Sequence, residues 1–388
     1  MKPDPLAFDW TAASVGKPRV PAPCPLFGSC GGCRLQDLTY ADQVTLKENR
    51  LHTLFASKDI APERWLPSIT SEPLGYRSRL RFSAKYVPKK GGVLVGFHER
   101  KKRFILDMQA CPILPEQISA SIPLLRDRLS RWSNPSSIPQ ISVSASDNGD
   151  GYCIRHLDPL TAGDLELLHD FETQHHARVF VQPGGYETIL PLDPQGCPTF
   201  CYKLEKYGLT IRFRPQHFTQ VNASVNRQML SQALDLLQIR PGEKGLDLFC
   251  GIGNFTLVLA HAGAELLGID SEGDQTAMAT LNASENGLAD RVRFESRDLY
   301  TVPGVAALPW GDRSFALLDP PRSGALDVCR SLPEDKRLRL LYVSCNPETL
   351  VRDAEVLVRE KGLKLEALGL LDMFPQTTQA EAMAYFTA

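Results

Sequence analysis

The sequence predicts an α/β C-terminal half built on a largely parallel sheet, preceded by a mixed α+β region that carries a cysteine cluster. Three observations predict it. From about Leu209 onward, apolar strand-like runs (GLDLF, LLGID, FALLD, LLYVS) alternate with helical stretches, the pattern of strands joined by crossover helices. Between Tyr76 and about Leu190, short strands are separated by Gly, Pro, Asn and Asp turns, with one helix expected near 115–132. Ahead of these lies the loop CPLFGSCGGCRLQDLTY, with Cys24, Cys30 and Cys33 close together, followed by a polar helical pattern from Ala41 to Phe55. The division expected is a disordered segment over 1–23, a cysteine-bearing mixed α+β region over 24–208, and an α/β domain over 209–388.

Composition narrows the classes. The 388 residues are 43% hydrophobic and 23% charged with a net charge of −2, as in a well-cored soluble protein. No apolar run reaches the roughly 18–20 residues of a membrane helix. The N-terminus carries Asp4, Asp9 and early prolines, unlike a signal peptide. A cytoplasmic location is expected, with no membrane and no obligate protein partner. Ten cysteines are many for such a chain. Chain length and compartment disfavour a disulfide framework, so the clustered ones point to metal ligation or catalysis. Cys197 and Cys201 are expected to be ordinary residues.

The stretch Gly245-Leu-Asp-Leu-Phe-Cys-Gly-Ile-Gly-Asn254 reads as a buried strand, a glycine turn and the start of a helix. Gly251 and Gly253 let backbone approach a ligand, and Asp247 is expected to order the loop from beneath. The next strand ends in Asp270, an acid about 20 residues on and suited to ribose hydroxyls. A nicotinamide dehydrogenase would want a small residue where Thr256 stands, because a diphosphate needs close helix packing there. S-adenosylmethionine has no diphosphate and makes no such demand.

FALLDPPRSG places Asp319 and a stiff diproline ledge at the carboxyl edge of the sheet, where open α/β folds bind ligands. Adenine-N6 methyltransferases carry an aromatic where this chain has Arg322, which speaks for a different base. The next strand ends in Ser344-Cys345-Asn346-Pro347, a thiol at the same edge beside a helix N-terminus expected to lower its pKa. Near the C-terminus, Glu381 follows Asp372-Met-Phe-Pro and lies beside Cys345 if the last strand joins the sheet.

FRPQHFTQVN, DLFCGIGNF, DPPRSG, SCNPETLVRD and DMFP…E occur in the order and approximate spacing of the RNA 5-methyluridine methyltransferase family, which the chain resembles over residues 24–388. The resemblance implies a Rossmann-like class I methyltransferase domain, S-adenosylmethionine as methyl donor, Cys345 as nucleophile and Glu381 as base. It also implies that Gln220, Phe249, Asn254, Asp270, Asp298 and Asp319 line the cofactor and base pocket. Two departures stand out: Asp270 where many relatives have Glu, and Gln379 where a His is usual. The chemistry agrees independently. Uracil C5 becomes nucleophilic once a thiolate adds to C6, and a base must then remove the C5 proton. A base in folded RNA must also be flipped out to be reached. A non-catalytic RNA-binding protein of this fold is the contrasting reading; it would lack Cys345 or the ledge.

Cys24-x5-Cys30-x2-Cys33 with Cys111 is a second signal, and spacing alone leaves zinc and iron–sulfur both open. The resemblance implies a [4Fe–4S] cluster, as in the ribosomal-RNA members. From Gly75 to Ile105 ten basic residues face one acid, Glu99, and period two puts Arg77, Arg79 and Arg81 on one strand face. That face is expected to track phosphates of 23S rRNA. Some ribosomal members carry a small β-barrel ahead of the cysteines. Only 23 residues precede Cys24 here, which resembles the shorter members acting at uridine 747 of 23S rRNA.

Overall fold

A computed structural model describes residues 8–193, 195, 199–333 and 338–388. The residues form three sheets. The eight-stranded sheet runs in the order β12 (Val292–Ser296), β11 (Glu265–Asp270), β10 (Lys244–Leu248), β13 (Phe315–Leu318), β14 (Arg339–Ser344), β16 (Glu381–Thr387), β15 (Lys364–Leu371), β1 (Arg64–Trp65). Pairing is parallel from β12 to β14, and β16 is antiparallel to both its neighbours. The central strands are apolar on both faces because both are covered. Period two then divides them between two cores. Phe315, Leu317, Leu341 and Val343 face one core, with α5 (Ala223–Leu237), α6 (Asn254–His261) and α7 (Gly273–Glu285). Ala316, Leu318, Leu340 and Tyr342 face the other, with α2 (Tyr40–Ala56), α8 (Val302–Ala306), α9 (Leu326–Ser331) and α10 (Pro347–Arg359).

The six-stranded sheet runs β3 (Gly92–Gly96), β2 (Arg79–Val87), β4 (Gln140–Ser144), β5 (Gly151–Arg155), β6 (Arg178–Gln182), β7 (Leu190–Pro191). Its core is closed by α3 (Glu116–Ser130) and α4 (Ala162–His175). The ribbon β8 (Phe200–Leu204) and β9 (Leu209–Phe213) is antiparallel. Among the described residues no helix is long and apolar enough to cross a membrane.

Several expectations need correction. The segment expected to be disordered holds structure from Phe8 on, and its first seven residues lie outside the described ones. Asp9 caps α1 (Trp10–Ala13), Lys17 pairs with Asp42 at 2.7 Å, and Arg19 pairs with Asp37 at 2.7 Å. The 24–208 region is not a unit in space. Leu51 and Phe55 of α2 pack into the large sheet's second core, β1 adds to that sheet, and the β8–β9 ribbon packs on its other face. A second helix, α4, stands where only strands were expected. Its signal was present: Thr161 and Asp164 form a capping box. Cys197 lies outside the described residues; Cys201 is a buried free thiol on β8.

Candidate active site

The carboxyl ends of β10, β11, β13 and β14 line up on one edge of the large sheet. Tight turns there deliver Phe249, Asp270, Asp319 and Cys345. The register pairs Ser344 with Ala382 and Leu371 with Glu381, so the first residue of β16 stands beside Cys345. The sequence left this dependent on the last strand joining the sheet, and it does join. A cavity of about 450 Å3 is lined by Gln220, Phe249, Asn254, Asp270, Asp319, Arg322, Cys345 and Glu381 among others. Asp298 is not part of that lining. Its carboxylate accepts from Tyr300 N at 2.8 Å, turning the chain so that Leu299 and Tyr300 face the cavity instead.

The glycine turn is held differently from expectation. Asp270 Oδ2 accepts from Gly251 N at 2.9 Å and its Oδ1 from Glu272 N at 3.0 Å, so Asp270, not Asp247, orders the loop. Asp247 lies deeper and accepts from the Thr256 hydroxyl, which explains the threonine at the sixth position of the turn. Burial raises the Asp247 carboxyl to about 7. Gly253 (φ +90°) begins α6 in a left-handed conformation that glycine alone adopts without cost. Phe249 also has φ +65°, a strain of roughly 1–2 kcal/mol that sets its ring 5.7 Å from that of Tyr300. Asn254 is locked by Tyr202 Oη at 2.9 Å and by a two-way amide exchange with Asn226. Sequence reasoning missed Tyr202, Asn226, Tyr300 and Gln275. Nothing local marks them, because folding alone brings them to the turn. Gln275 Oε1 is buried at the cavity wall without a partner, an acceptor suited to a ligand's donor.

The diproline ledge is fixed by the N-cap residue and the second turn of α10. Asn346 Nδ2 donates to Arg322 O at 2.9 Å, and Arg352 donates to Ser323 O at 2.8 Å. Gln220 Nε2 reaches Asp319 Oδ2 at 3.5 Å. Three groups here titrate abnormally. Burial, then the charges of Asp319 and Asp372, push Glu381 up to about 8. Burial, then Asp247 and Asp270, push Asp319 to about 7. The half-buried Cys345 thiol is raised to about 11 by burial, Glu381 and Asp319, against a lowering from Arg322. The depressed thiol pKa expected from the helix end is therefore not found: desolvation and two carboxyls outweigh the helix.

Cys24, Cys30, Cys33 and Cys111 are buried free thiols. Burial first, then the neighbouring thiols, raise Cys33 to about 11 and Cys111 to about 12, so the four lie within electrostatic reach of one another. An all-sulfur donor set of this kind suits a soft metal centre. Among the described residues, however, no group of three or more Cys, His, Asp or Glu side chains is arranged to hold a metal ion, and the cluster expected from the sequence is not shown.

The basic strand face also differs. Leu80, Phe82 and Ala84 point inward as period two requires, but the arginines opposite are engaged. Arg79 donates to Pro215 O, Arg81 to the Tyr186 hydroxyl at 2.7 Å, and the Arg77 guanidinium lies 5.9 Å from the Phe374 ring centroid. Arg81 nevertheless remains exposed, and further exposed basic residues gather on the 98–105 hairpin, where Lys101, Lys102 and Arg103 adjoin Phe104, itself 65% exposed.

Comparison with known proteins accords with this geometry. The family model described as tRNA (Uracil-5-)-methyltransferase matches residues 202–301 and 309–388. The 23S rRNA (uracil(1939)-C(5))-methyltransferase of Nitrosospira multiformis is 45% identical over 95% of this chain and 84% of its own length. The chain belongs to the S-adenosylmethionine-dependent RNA uracil-C5 methyltransferase family. The correspondingly named protein of Acidithiobacillus ferrooxidans is 45% identical over 95% of this chain and 83% of its own. The solved structure of Pyrococcus abyssi tRNA (uracil-54, C5)-methyltransferase, with S-adenosyl-L-homocysteine, has a TM-score of 0.72 at 21% identity, covering 93% of this chain and 86% of that one. At that identity the likeness speaks for the fold. The ribosomal relatives are named for uridine 1939, not for position 747, which was read from the short stretch before Cys24. Their likeness spans the shared core, and the length of chain ahead of the cysteines was the wrong feature to weigh.

Proposed function

We propose that this chain methylates C5 of uridine 1939 in 23S rRNA, with Cys345 as nucleophile and Glu381 as base. One observation carries the chemistry: the β14–β16 register puts a thiol, a buried carboxyl and Asp319 around one cavity with the glycine turn. The position is supported by relatives 45% identical that are named for it. Gln220, Phe249, Asn254 and Asp270 would border the methyl donor, which supplies an electrophilic sulfonium methyl. The half-buried Cys345 thiol gives its proton to solvent, its sulfur adds to uracil C6, and the C5–C6 pair of electrons moves toward C5 and O4. C5 takes the methyl group, Glu381 removes the C5 proton, and the C6–S bond breaks to regenerate the thiolate. Because negative charge on Glu381 and Asp319 raises the thiol, addition is favoured while they are protonated. Removal of the C5 proton needs Glu381 ionised. A carboxyl poised at about 8 can serve both steps near neutral pH.

Mapping 5-methyluridine in 23S rRNA from a strain lacking this chain tests the assignment. Loss at 1939 alone is expected; loss at 747 with 1939 intact would refute it.

The four thiols are proposed to hold a [4Fe–4S] cluster, through which no step of the methyl transfer runs. Protein purified without oxygen should be brown with about four irons per chain, and Cys24→Ser or Cys111→Ser should bleach it. Zinc without iron would contradict the cluster.

The 98–105 hairpin is proposed to contact RNA phosphates. Lys101→Gln with Arg103→Gln should lower the salt slope of RNA affinity by up to ~1 per charge, with cofactor affinity unchanged. Arg79→Gln should instead lower thermal stability, because its guanidinium holds Pro215 O. An unchanged salt slope in the hairpin variant would return those charges to a merely solvated role.

A further inference from the structure

Residues 372–380 connect β15 to β16 and end one residue before Glu381. A connection this long fixes its own geometry far less than a two-residue hairpin does. Of this stretch and Glu381, only Glu381 lines the cavity. Yet Asp372, Met373 and Gln376 are buried, and Gln376 has φ +69°.

The contacts that hold the loop come from the opposite end of the chain. Gln43 of α2 exchanges two hydrogen bonds with Gln376: its Nε2 donates to Gln376 Oε1 at 3.0 Å, and Gln376 N donates to Gln43 Oε1 at 2.9 Å. Lys47, one helical turn on, donates to Asp372 Oδ1 at 2.6 Å and to Phe374 O at 2.9 Å, with both side chains of the ion pair wholly buried. Arg34 N and Leu35 N, the residues directly after Cys33, both donate to Gln376 O, at 2.9 and 3.1 Å. Tyr76 Oη donates to Pro375 O at 2.9 Å.

We infer that α2, through Gln43 and Lys47, and the backbone following Cys33 form a clamp that positions Glu381, so that the cysteine loop acts on the elimination step through the base. This rests on the reading of Glu381 as base. Methyl transfer from the cofactor needs Cys345 and the glycine-turn wall of the cavity, and neither Gln43 nor Lys47 bonds to either; both bond to the 372–376 stretch. Proton removal needs the carboxyl in line with the C5 proton. A loosened loop therefore slows the second step selectively.

The test separates the two steps with unmodified RNA, using Gln43→Leu and Gln376→Gly. Glycine accepts the left-handed backbone at 376 without strain, so this variant loses only the bond from Gln43 Nε2 to Gln376 Oε1, keeps the bond from the 376 backbone N to Gln43 Oε1, and decides the matter if Gln43→Leu fails to fold. Single-turnover methyl transfer should stay within about twofold of wild type, while multiple turnover falls about tenfold to a hundredfold. A methylated, denaturation-resistant protein–RNA adduct should accumulate. Cofactor affinity should not change, as a general loss of structure would require. Wild-type turnover without adduct, or equal loss of both steps in folded, cofactor-binding protein, would overturn the inference. Glu381→Gln runs alongside: if it forms no adduct, the base assignment fails and the clamp has nothing to position.

Discussion

Cys345→Ala is expected to abolish methylation, lowering turnover by about 10^4-fold or more, since no other group can open the C5–C6 bond to attack. The same variant should form no adduct with RNA carrying 5-fluorouridine. In the wild-type protein that RNA is trapped, because fluorine at C5 cannot leave as a proton does, and the C6–S bond then persists. Cofactor binding should survive the substitution, because the glycine turn and Asp270 are held by contacts that do not involve the thiol. The cavity contains a second thiol, Cys250, and this is the internal control. Burial, then Asp247 and Asp270, push Cys250 well above the ordinary thiol range. Cys250→Ala should therefore keep adduct formation. Measurable turnover in Cys345→Ala would remove the nucleophile from the account.

Glu381→Gln is expected to turn over about 10^2- to 10^4-fold more slowly, the usual span for a lost general base. It should also accumulate a methylated adduct on ordinary RNA. Its pH behaviour follows from the carboxyl's position at about 8. In wild type the elimination rate should rise as pH approaches 8 and level off above it; in the variant that limb should vanish. Stability carries the opposite sign. The folded state holds the Glu381 proton more tightly than the unfolded chain, whose carboxyl titrates near 4.5. The folded protein is thus favoured below 4.5 and loses that advantage as pH rises through 8. Glu381→Gln should accordingly melt higher than wild type at pH 9, with the difference shrinking toward pH 5. A destabilised base is a common cost of a functional site. A variant that melts lower at pH 9 would mean the carboxyl is held ionised, contrary to its burial.

What could be read in the sequence was whatever lies at a strand end. The residues at the ends of three apolar runs, with their glycines and prolines, announced Asp270, Asp319 and Cys345, because a parallel sheet sends every such turn to one edge, whereas Phe249 was named only by the family likeness. Glu381 was legible from its place at the last strand only on the condition that this strand joins the sheet, since no local pattern says where a last strand inserts, and its role as base came from the family likeness. What failed had tertiary causes. Asp270 took the turn-ordering role because reach depends on depth below the turn, and the deeper Asp247 bonds to Thr256 instead. Asp298 turned its side chain to its own backbone. The arginines at 77, 79 and 81 had the right periodicity, but the 214–217 turn, Tyr186 and Phe374 meet that face. The thiol's pKa was read from a helix end while the two carboxyls beside it were out of view. The helix 40–56 was anticipated nearly residue for residue, yet its attachment to the catalytic sheet through Leu51 and Phe55 could not be seen, because an amphipathic stripe does not name its partner.

The central claim, that catalysis proceeds through a bond from Cys345 to the target uracil, is tested most directly by locating that bond. Wild-type protein is incubated with S-adenosylmethionine and a 23S rRNA fragment carrying 5-fluorouridine at position 1939, then digested with protease and nuclease and read by mass spectrometry. The account predicts one modified peptide, containing Cys345 and bearing a methylated fluorouridine. A modified peptide containing Cys250 instead, or methylated RNA with no protein attached, would contradict it.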